Sequence, residues 1–213
     1  MPPHSLVMTM IGTGLLWVGW FGFNVGSELE ADGTAGLAMI NTFVATAAGG
    51  LTWMVVERLA GHKGSALGLC SGIIAGLVAV TPAAGNSGPF GAVILGIVAS
   101  TVCYFAVSKL KPALGYDDSL DAFGIHGIGG IIGAIGTGIV YSPALGGPGD
   151  AAEYVMSSQV MTQIIAVAVA IAWAAVGTTI TLFIVKMITG LRVSDEVEVE
   201  GLDIGEHGER AYN

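Results

Sequence analysis

The sequence has few charged residues: Asp, Glu, Lys and Arg make up only 11% of its 213 residues, whereas soluble domains typically contain roughly 25%. Hydrophobic residues make up 53%, which excludes an ordinary soluble domain and indicates a membrane protein. Cysteine is also scarce, and both Cys70 and Cys103 lie within apolar runs. Two such thiols predict neither a disulfide framework nor a metal site, and we expect no cofactor.

Long apolar runs dominate the chain. Six of them approach the length of about 20 residues with which a helix crosses a hydrocarbon core of roughly 30 Å. Glycine, with 34 residues, is frequent within them, as in helices whose backbones pack closely. The sequence therefore predicts an all-α membrane protein with six transmembrane helices, at residues 5–25, 34–57, 65–84, 90–110, 121–141 and 160–189.

The basic residues are distributed unevenly between the loops. They follow the second and fourth runs and close or follow the sixth, whereas the loops on the opposite side hold acids and no Lys or Arg. Because basic residues accumulate on the cytoplasmic side of membrane proteins, this pattern predicts that both termini are cytoplasmic. The seven basic residues are Arg58, Lys63, Lys109, Lys111, Lys186, Arg192 and Arg210.

Residues 190–213 are predicted to form a cytoplasmic tail after a membrane bundle at 1–189. The tail contains seven of the sixteen acidic residues and two basic ones. Such a composition is typical of a solvated, flexible segment. However, Leu202, Ile204 and Tyr212 stand among glycines and also fit a segment that docks onto another surface. Both interpretations stay open.

The fifth run carries the one ionisable side chain that lies well inside an apolar run, His126. Counted from Asp121, which opens the run, His126 lies about 8 to 10 Å into the membrane. An ionisable group at such depth is a functional candidate, and Gly124 and Gly127 leave its ring room to face a lumen. The alternative is a neutral histidine hydrogen-bonded between helices. Asp121 itself is predicted to cap the helix.

Aromatic residues crowd the outer half of the first run. Their ring faces attract cations, and a nearby hydroxyl can accept a hydrogen bond from an ammonium N–H. The cluster therefore predicts an outer cation site, although an interfacial aromatic belt explains the same residues. The residues concerned are Trp17, Trp20, Phe21 and Phe23, followed by Asn24 and Ser27.

Four strings together resemble the ammonium transporter (Amt/Mep) family. Three of them lie at 20–27 (Trp-Phe-Gly-Phe-Asn-Val-Gly-Ser), at 70–85 and at 121–127 (Asp-Ala-Phe-Gly-Ile-His-Gly). The fourth is in the tail, where Gly-Leu-Asp at 201–203 is followed by His-Gly-Glu at 207–209 and Ala-Tyr at 211–212. The strings occur in the family's order and spacing and extend over nearly the whole chain.

The resemblance implies the family's eleven-helix fold, built as two inverted five-helix halves plus a long last helix and assembled as a homotrimer. The six runs would correspond to its C-terminal half, and the N-terminal five-helix half would be missing. By motif, Phe23 matches a gate phenylalanine, Ser27 the hydroxyl of the outer ammonium site, and His126 a pore histidine. The tail would couple subunits near the docking surface of a PII signal protein, through Gly201, Leu202, Asp203, His207, Gly208, Glu209 and Tyr212.

These matches predict transport of ammonium or ammonia across the inner (plasma) membrane, not enzymatic turnover. No nucleic-acid partner is expected. Because half the pore wall would be absent, we expect the chain alone not to conduct, as a gene fragment, a truncated product or one part of a split gene. Two alternatives remain: an ammonium sensor that recruits a PII protein, and a non-conducting membrane subunit.

Overall fold

The computed structural model describes residues 2–211, and these residues are helical with no strand. The long helices are α1 (Leu6–Asn24), α2 (Gly33–Leu59), α3 (Ala66–Val80), α4 (Pro89–Phe105), α6 (Ile128–Val140) and α7 (Met156–Ile188). Short helices are α5 (Lys111–Leu114), α8 (Asp195–Glu200) and α9 (Leu202–Gly205). Two π-helical turns, Ala106–Leu110 and Phe123–Gly127, precede α5 and α6 respectively.

Within residues 2–211, six helical segments are long and apolar enough to cross a membrane, which confirms the predicted number. They are Leu6–Glu28, Gly33–Leu59, Ala66–Ala83, Pro89–Leu114, Phe123–Val140 and Met156–Ile188. Polar residues cap the first three: the side chains of Ser5, Asp32 and Ser65 accept hydrogen bonds from backbone N–H groups in the first turns of α1, α2 and α3. The first three apolar runs thus begin within one residue of these helices.

The chain divides into two compact units, one ending at Val167 and the other beginning at Ala168. In the first unit, α2, α3, α4 and α6 pack together, and α1 lies against α3. The second unit comprises the later part of α7 and the tail helices α8 and α9. The predicted division at residue 190 into bundle and tail stays a prediction.

Close backbone contact holds α2, α3 and α4 together. A Cβ atom added to Gly72 would lie 2.5 Å from the carbonyl oxygen of Gly49, and one added to Gly76 would lie 2.5 Å from that of Ala45. Ser100 on α4 also donates a hydrogen bond of 2.7 Å to the Gly49 carbonyl. The frequent glycines of these helices therefore allow backbones to approach within contact distance, as their composition predicted.

A buried amide fixes the turn between α3 and α4. Asn41 is fully buried on α2, and its Nδ2 donates to the carbonyl oxygens of Ala84 at 2.8 Å and Ser87 at 2.7 Å. These bonds satisfy carbonyl groups that no helix ladder reaches. The turn that follows Thr81 and Pro82 is therefore anchored to a neighbouring helix.

Candidate functional site

His126 lies in the π turn Phe123–Gly127 at the start of the fifth span, and its side chain is exposed in this structure. Its ring forms one wall of an open cleft of about 300 Å³. The other lining residues are apolar or aromatic: Leu16, Gly19, Trp20 and Phe23. The imidazole is thus a polar group at an otherwise mostly hydrophobic surface.

Trp20 connects His126 to the aromatic residues of α1. Its ring centroid lies 6.0 Å from that of His126 and 5.9 Å from that of Phe23, which it meets edge to face. The indole Nε1 donates a 2.8 Å hydrogen bond to Thr81 Oγ1, at the end of α3. This bond orients the indole, so the ring beside His126 is held by two spans.

The structure brings Phe23 and His126 to one cleft but leaves Ser27 outside its lining. Ser27 lies in the short 3₁₀ turn Gly26–Glu28, one helical turn beyond Phe23. Its exposed hydroxyl donates to the carbonyl oxygen of Phe23 at 2.5 Å. The oxygen keeps lone pairs with which it can accept a further hydrogen bond.

Trp20 is the fifteenth residue of α1, about 21 Å from its first residue. The ring contact with Trp20 therefore places His126 beside the later part of α1. The depth of His126 in the membrane stays a prediction.

The capping role predicted for Asp121 belongs to Asp118 instead. The Asp118 carboxylate accepts backbone N–H bonds of 3.1 Å from both Phe123 and Gly124. Asp121 has a left-handed backbone with φ of 56°, and its carboxylate pairs with Lys111 Nζ at 2.7 Å. Because its side chain is directed to the lysine, it makes no bond to the first N–H groups of the helix. Lys111 and Asp118 did not stand out in the sequence, although the pair Asp117-Asp118 before Asp121 was a visible signal.

The tail is folded through its own contacts. Asp203 Oδ2 accepts a 3.0 Å hydrogen bond from the Ala211 N–H, which lowers the pKa of this carboxyl below its usual range. Gly205 packs against Val197, and Gly201 and Gly208 have the positive φ values of 116° and 68° that favour glycine. Leu202, His207 and Glu209 are exposed, and Tyr212 lies outside the described residues. The tail thus makes local folded contacts, and its docking onto another surface stays a prediction.

A metal centre is not indicated within residues 2–211, since no group of three or more His, Cys, Asp or Glu side chains there is placed to hold an ion. The features present are six apolar spans and one open cleft that combines a histidine with aromatic rings. Together they define a polytopic helical membrane protein with a candidate binding surface for a small polar or cationic solute.

Comparison with known proteins places the chain in a family. The model of the Ammonium Transporter Family matches residues 1–212, and the chain belongs to this family. The resemblance seen in the four strings is therefore confirmed, and ammonium transporters are not enzymes.

Two relatives show the extent of the match. The chain is 48% identical over 212 residues to an ammonium transporter of Aquifex aeolicus, and the match covers 99% of this chain and 49% of the relative. For an ammonium transporter of Bacillus subtilis the identity is 46%, and the match covers 99% of this chain and 52% of the relative. The chain thus spans about half the length of the curated relatives it matches.

Solved structures agree with the fold. Mep2 of Saccharomyces cerevisiae superimposes with a TM-score of 0.80 at 39% identity, covering 92% of this chain and 45% of that one. A protein described as a sensor Amt protein superimposes with a TM-score of 0.85 at 30% identity, covering 95% and 49%. The six-span bundle is therefore an arrangement that occurs within larger proteins of this kind.

Proposed function

We propose that the chain forms the C-terminal half of an ammonium transporter and lines one side of its pore. The observation that carries this proposal is the exposed imidazole of His126 in a cleft with Trp20 and Phe23. An ionisable side chain in a membrane span is costly and normally faces a protein interior or a cavity. A pore completed by further helices supplies such a cavity.

The chemistry of the cleft suits a cation that can lose a proton. A dehydrated ion is prohibitively costly in an apolar lumen, which excludes potassium. Ammonium attracted by the faces of Trp20 and Phe23 can donate hydrogen bonds to a neutral imidazole and transfer its proton. In this mechanism His126 accepts the hydrogen bonds and the proton of ammonium, and Phe23 gates the entrance. Ser27 accepts a hydrogen bond at the outer site.

The open face of α1 supports the proposed missing half. Three glycines on one side of α1, Gly12, Gly19 and Gly22, have no atom within 4 Å of an added Cβ. Small residues of this kind permit close helix contacts, so this face suits the N-terminal five-helix half, and the completed protein would form homotrimers. The basic side of the bundle then faces the cytoplasm, with both termini and a tail that meets a PII-type protein.

Uptake of ammonium into proteoliposomes tests this proposal. Three preparations are compared: the chain alone, the chain with the first five spans of the Bacillus subtilis relative, and that complete relative. We expect no uptake above the lipid background from the chain alone and restored uptake from the pair. If the chain alone takes up as much ammonium as the complete relative, the expectation that it is inactive alone is contradicted. If the pair folds but shows no uptake, the proposal that the chain lines a pore is contradicted.

A sensor is the second candidate, favoured by the similarity to the sensor Amt protein and by the compact fold of the tail. A sensor requires that ammonium binding at the cleft alters the tail. Hydrogen exchange of the Ala211 amide, measured in the assembled pair with and without ammonium, tests this candidate. If ammonium changes the protection of the Ala211 amide and no uptake occurs, the sensor is supported. If ammonium leaves this protection unchanged, the sensor is contradicted.

A further inference from the structure

Two π-helical turns pack against each other where the fourth and fifth spans meet. A Cβ atom on Gly124 would lie 2.8 Å from Val107 Cγ2, and the Cys103 thiol donates to the Ile125 carbonyl at 3.5 Å. A π turn contains an extra residue, and one residue corresponds to about 100° of helical rotation. The direction of His126 therefore depends on keeping the π turn that contains it.

Lys111 joins the two turns. It directly follows the first turn, Ala106–Leu110, and its Nζ contacts two groups that precede the second. These are Asp121 Oδ1 at 2.7 Å and the carbonyl oxygen of Asp118 at 2.6 Å. The side chains of Lys111 and Asp121 are only 22% and 28% exposed, so the ion pair is largely shielded from water.

The residues tied by Lys111 determine where the second π turn begins. The Asp118 carboxylate holds the N–H groups of Phe123 and Gly124. Asp121 adopts a φ of 56°, a left-handed conformation that residues other than glycine rarely adopt. A contact with the side chain of Asp121 favours this conformation over relaxation to an ordinary helical start.

We infer that Lys111 is a positioning residue for His126. Its ammonium group holds the turn from Asp118 to Asp121, and this turn keeps the following π turn in the register that directs the imidazole into the cleft beside Trp20. The inference rests on the proposed function, because positioning matters for transport only if His126 faces the pore. Lys111 itself lines no part of the cleft.

Nuclear magnetic resonance of ¹⁵N-labelled histidine rings in the complete chain, in nanodiscs, tests the inference. Substitution His126→Gln identifies the signal among those of the four histidines. Substitution Lys111→Met should shift the His126 ring signals, and Lys111→Arg should leave them unchanged. Lys109→Met is the matched control, because Lys109 is an exposed lysine on the π turn that Lys111 directly follows and has no ion pair among the described residues.

Lys111→Met leaves the Asp121 carboxylate unpaired, which can prevent folding. A second variant therefore tests the inference without an unpaired charge. The double variant Lys111→Met with Asp121→Asn removes both charges and should show the same displaced His126 signals. Unchanged His126 signals in the folded double variant overturn the inference. An equal shift in Lys109→Met also overturns it.

Ammonium uptake by the assembled pair separates this inference from the proposed function. A misplaced imidazole should lower uptake about tenfold in the double variant, while Lys111→Arg preserves it. If the ring moves and uptake is unchanged, the pore role of His126 fails and the positioning role stands. If the ring does not move, the positioning role fails whatever happens to uptake.

Discussion

The glycines of α1 differ from those of α2 and α3. Gly49, Gly72 and Gly76 lie so close to neighbouring backbone that a Cβ atom at any of them would meet it, whereas an added Cβ on Gly14 or Gly19 of α1 meets nothing within 4 Å. The same residue type in a similar apolar sequence thus has two environments. One set belongs to a completed interface, whereas the α1 set is open, and Gly19 also lines the cleft with His126.

This difference shows that composition alone does not distinguish a packed helix from an open one. All three helices are glycine-containing apolar spans, yet none of the α1 glycines is buried while Gly49, Gly72 and Gly76 are. Gly12, Gly19 and Gly22 mark the side of α1 on which further helices would complete the proposed pore.

The largest expected effect comes from filling one site of each kind with the same methyl group. Gly76→Ala should lower the free energy of unfolding by about 3 kcal/mol, because the new Cβ meets the Ala45 carbonyl oxygen and the backbone must move. Gly14→Ala should instead stabilise the helix slightly, by up to about 1 kcal/mol. Unfolding in mixed detergent micelles measures the free-energy change of each variant. Equal changes in Gly76→Ala and Gly14→Ala would show that the two glycine environments do not differ.

A smaller effect tests the start of the fifth span. Asp118→Ala should cost about 1 kcal/mol of local stability, since the N–H groups of Phe123 and Gly124 lose their acceptor. Hydrogen exchange at these two amides should accelerate, whereas Asp117→Ala, at an exposed neighbouring acid, should leave them unchanged. Unaltered exchange in Asp118→Ala would rule out the cap.

The smallest effect concerns the tail, where the contact tested is an exposed polar one, unlike the close helix contacts of the bundle. Hydrogen bonds of 2.9 and 2.7 Å from Arg192 lower the pKa of the Glu198 carboxyl below its ordinary value. Because this pKa is lowered, the bonds stabilise the tail fully above the ordinary glutamate pKa, and this stabilisation is lost as pH falls through the lowered pKa.

A titration of the Glu198 carboxyl ¹³C signal in the complete chain should therefore show a midpoint below that of exposed glutamates. Arg192→Gln should return the midpoint toward the ordinary value, and Arg210→Gln, at the other tail arginine, should not. A wild-type midpoint in the ordinary range would contradict the contact.

The sequence predicted the spans well because each is a long apolar run, and the first three begin beside residues that serve as caps. Ser5, Asp32 and Ser65 mark the beginnings of α1, α2 and α3 both in the sequence and in the hydrogen bonds. The start of the fifth span was harder, since Asp117, Asp118 and Asp121 are chemically equivalent candidates for a cap. Only the fold shows that Asp121 forms an ion pair with Lys111, whereas Asp118 caps the helix.

Two residues of the cleft could be predicted from the sequence, but the geometry of the cleft could not. His126 and Phe23 stood out as an ionisable residue and an aromatic residue in apolar runs, and both line the cleft. The position of His126 beside Trp20 depends on a π turn and on the point at which the fifth span begins, neither of which leaves a periodic signal in residues 115–127.

The most direct test of the account is ammonium uptake by the assembled pair when His126 is replaced. His126→Ala removes the hydrogen-bond and proton acceptor from the cleft, so uptake should fall about a hundredfold, while His62→Ala, in the exposed loop between α2 and α3, should leave it unchanged. Full uptake by a folded His126→Ala pair would contradict the account and favour a subunit whose histidine has a structural role.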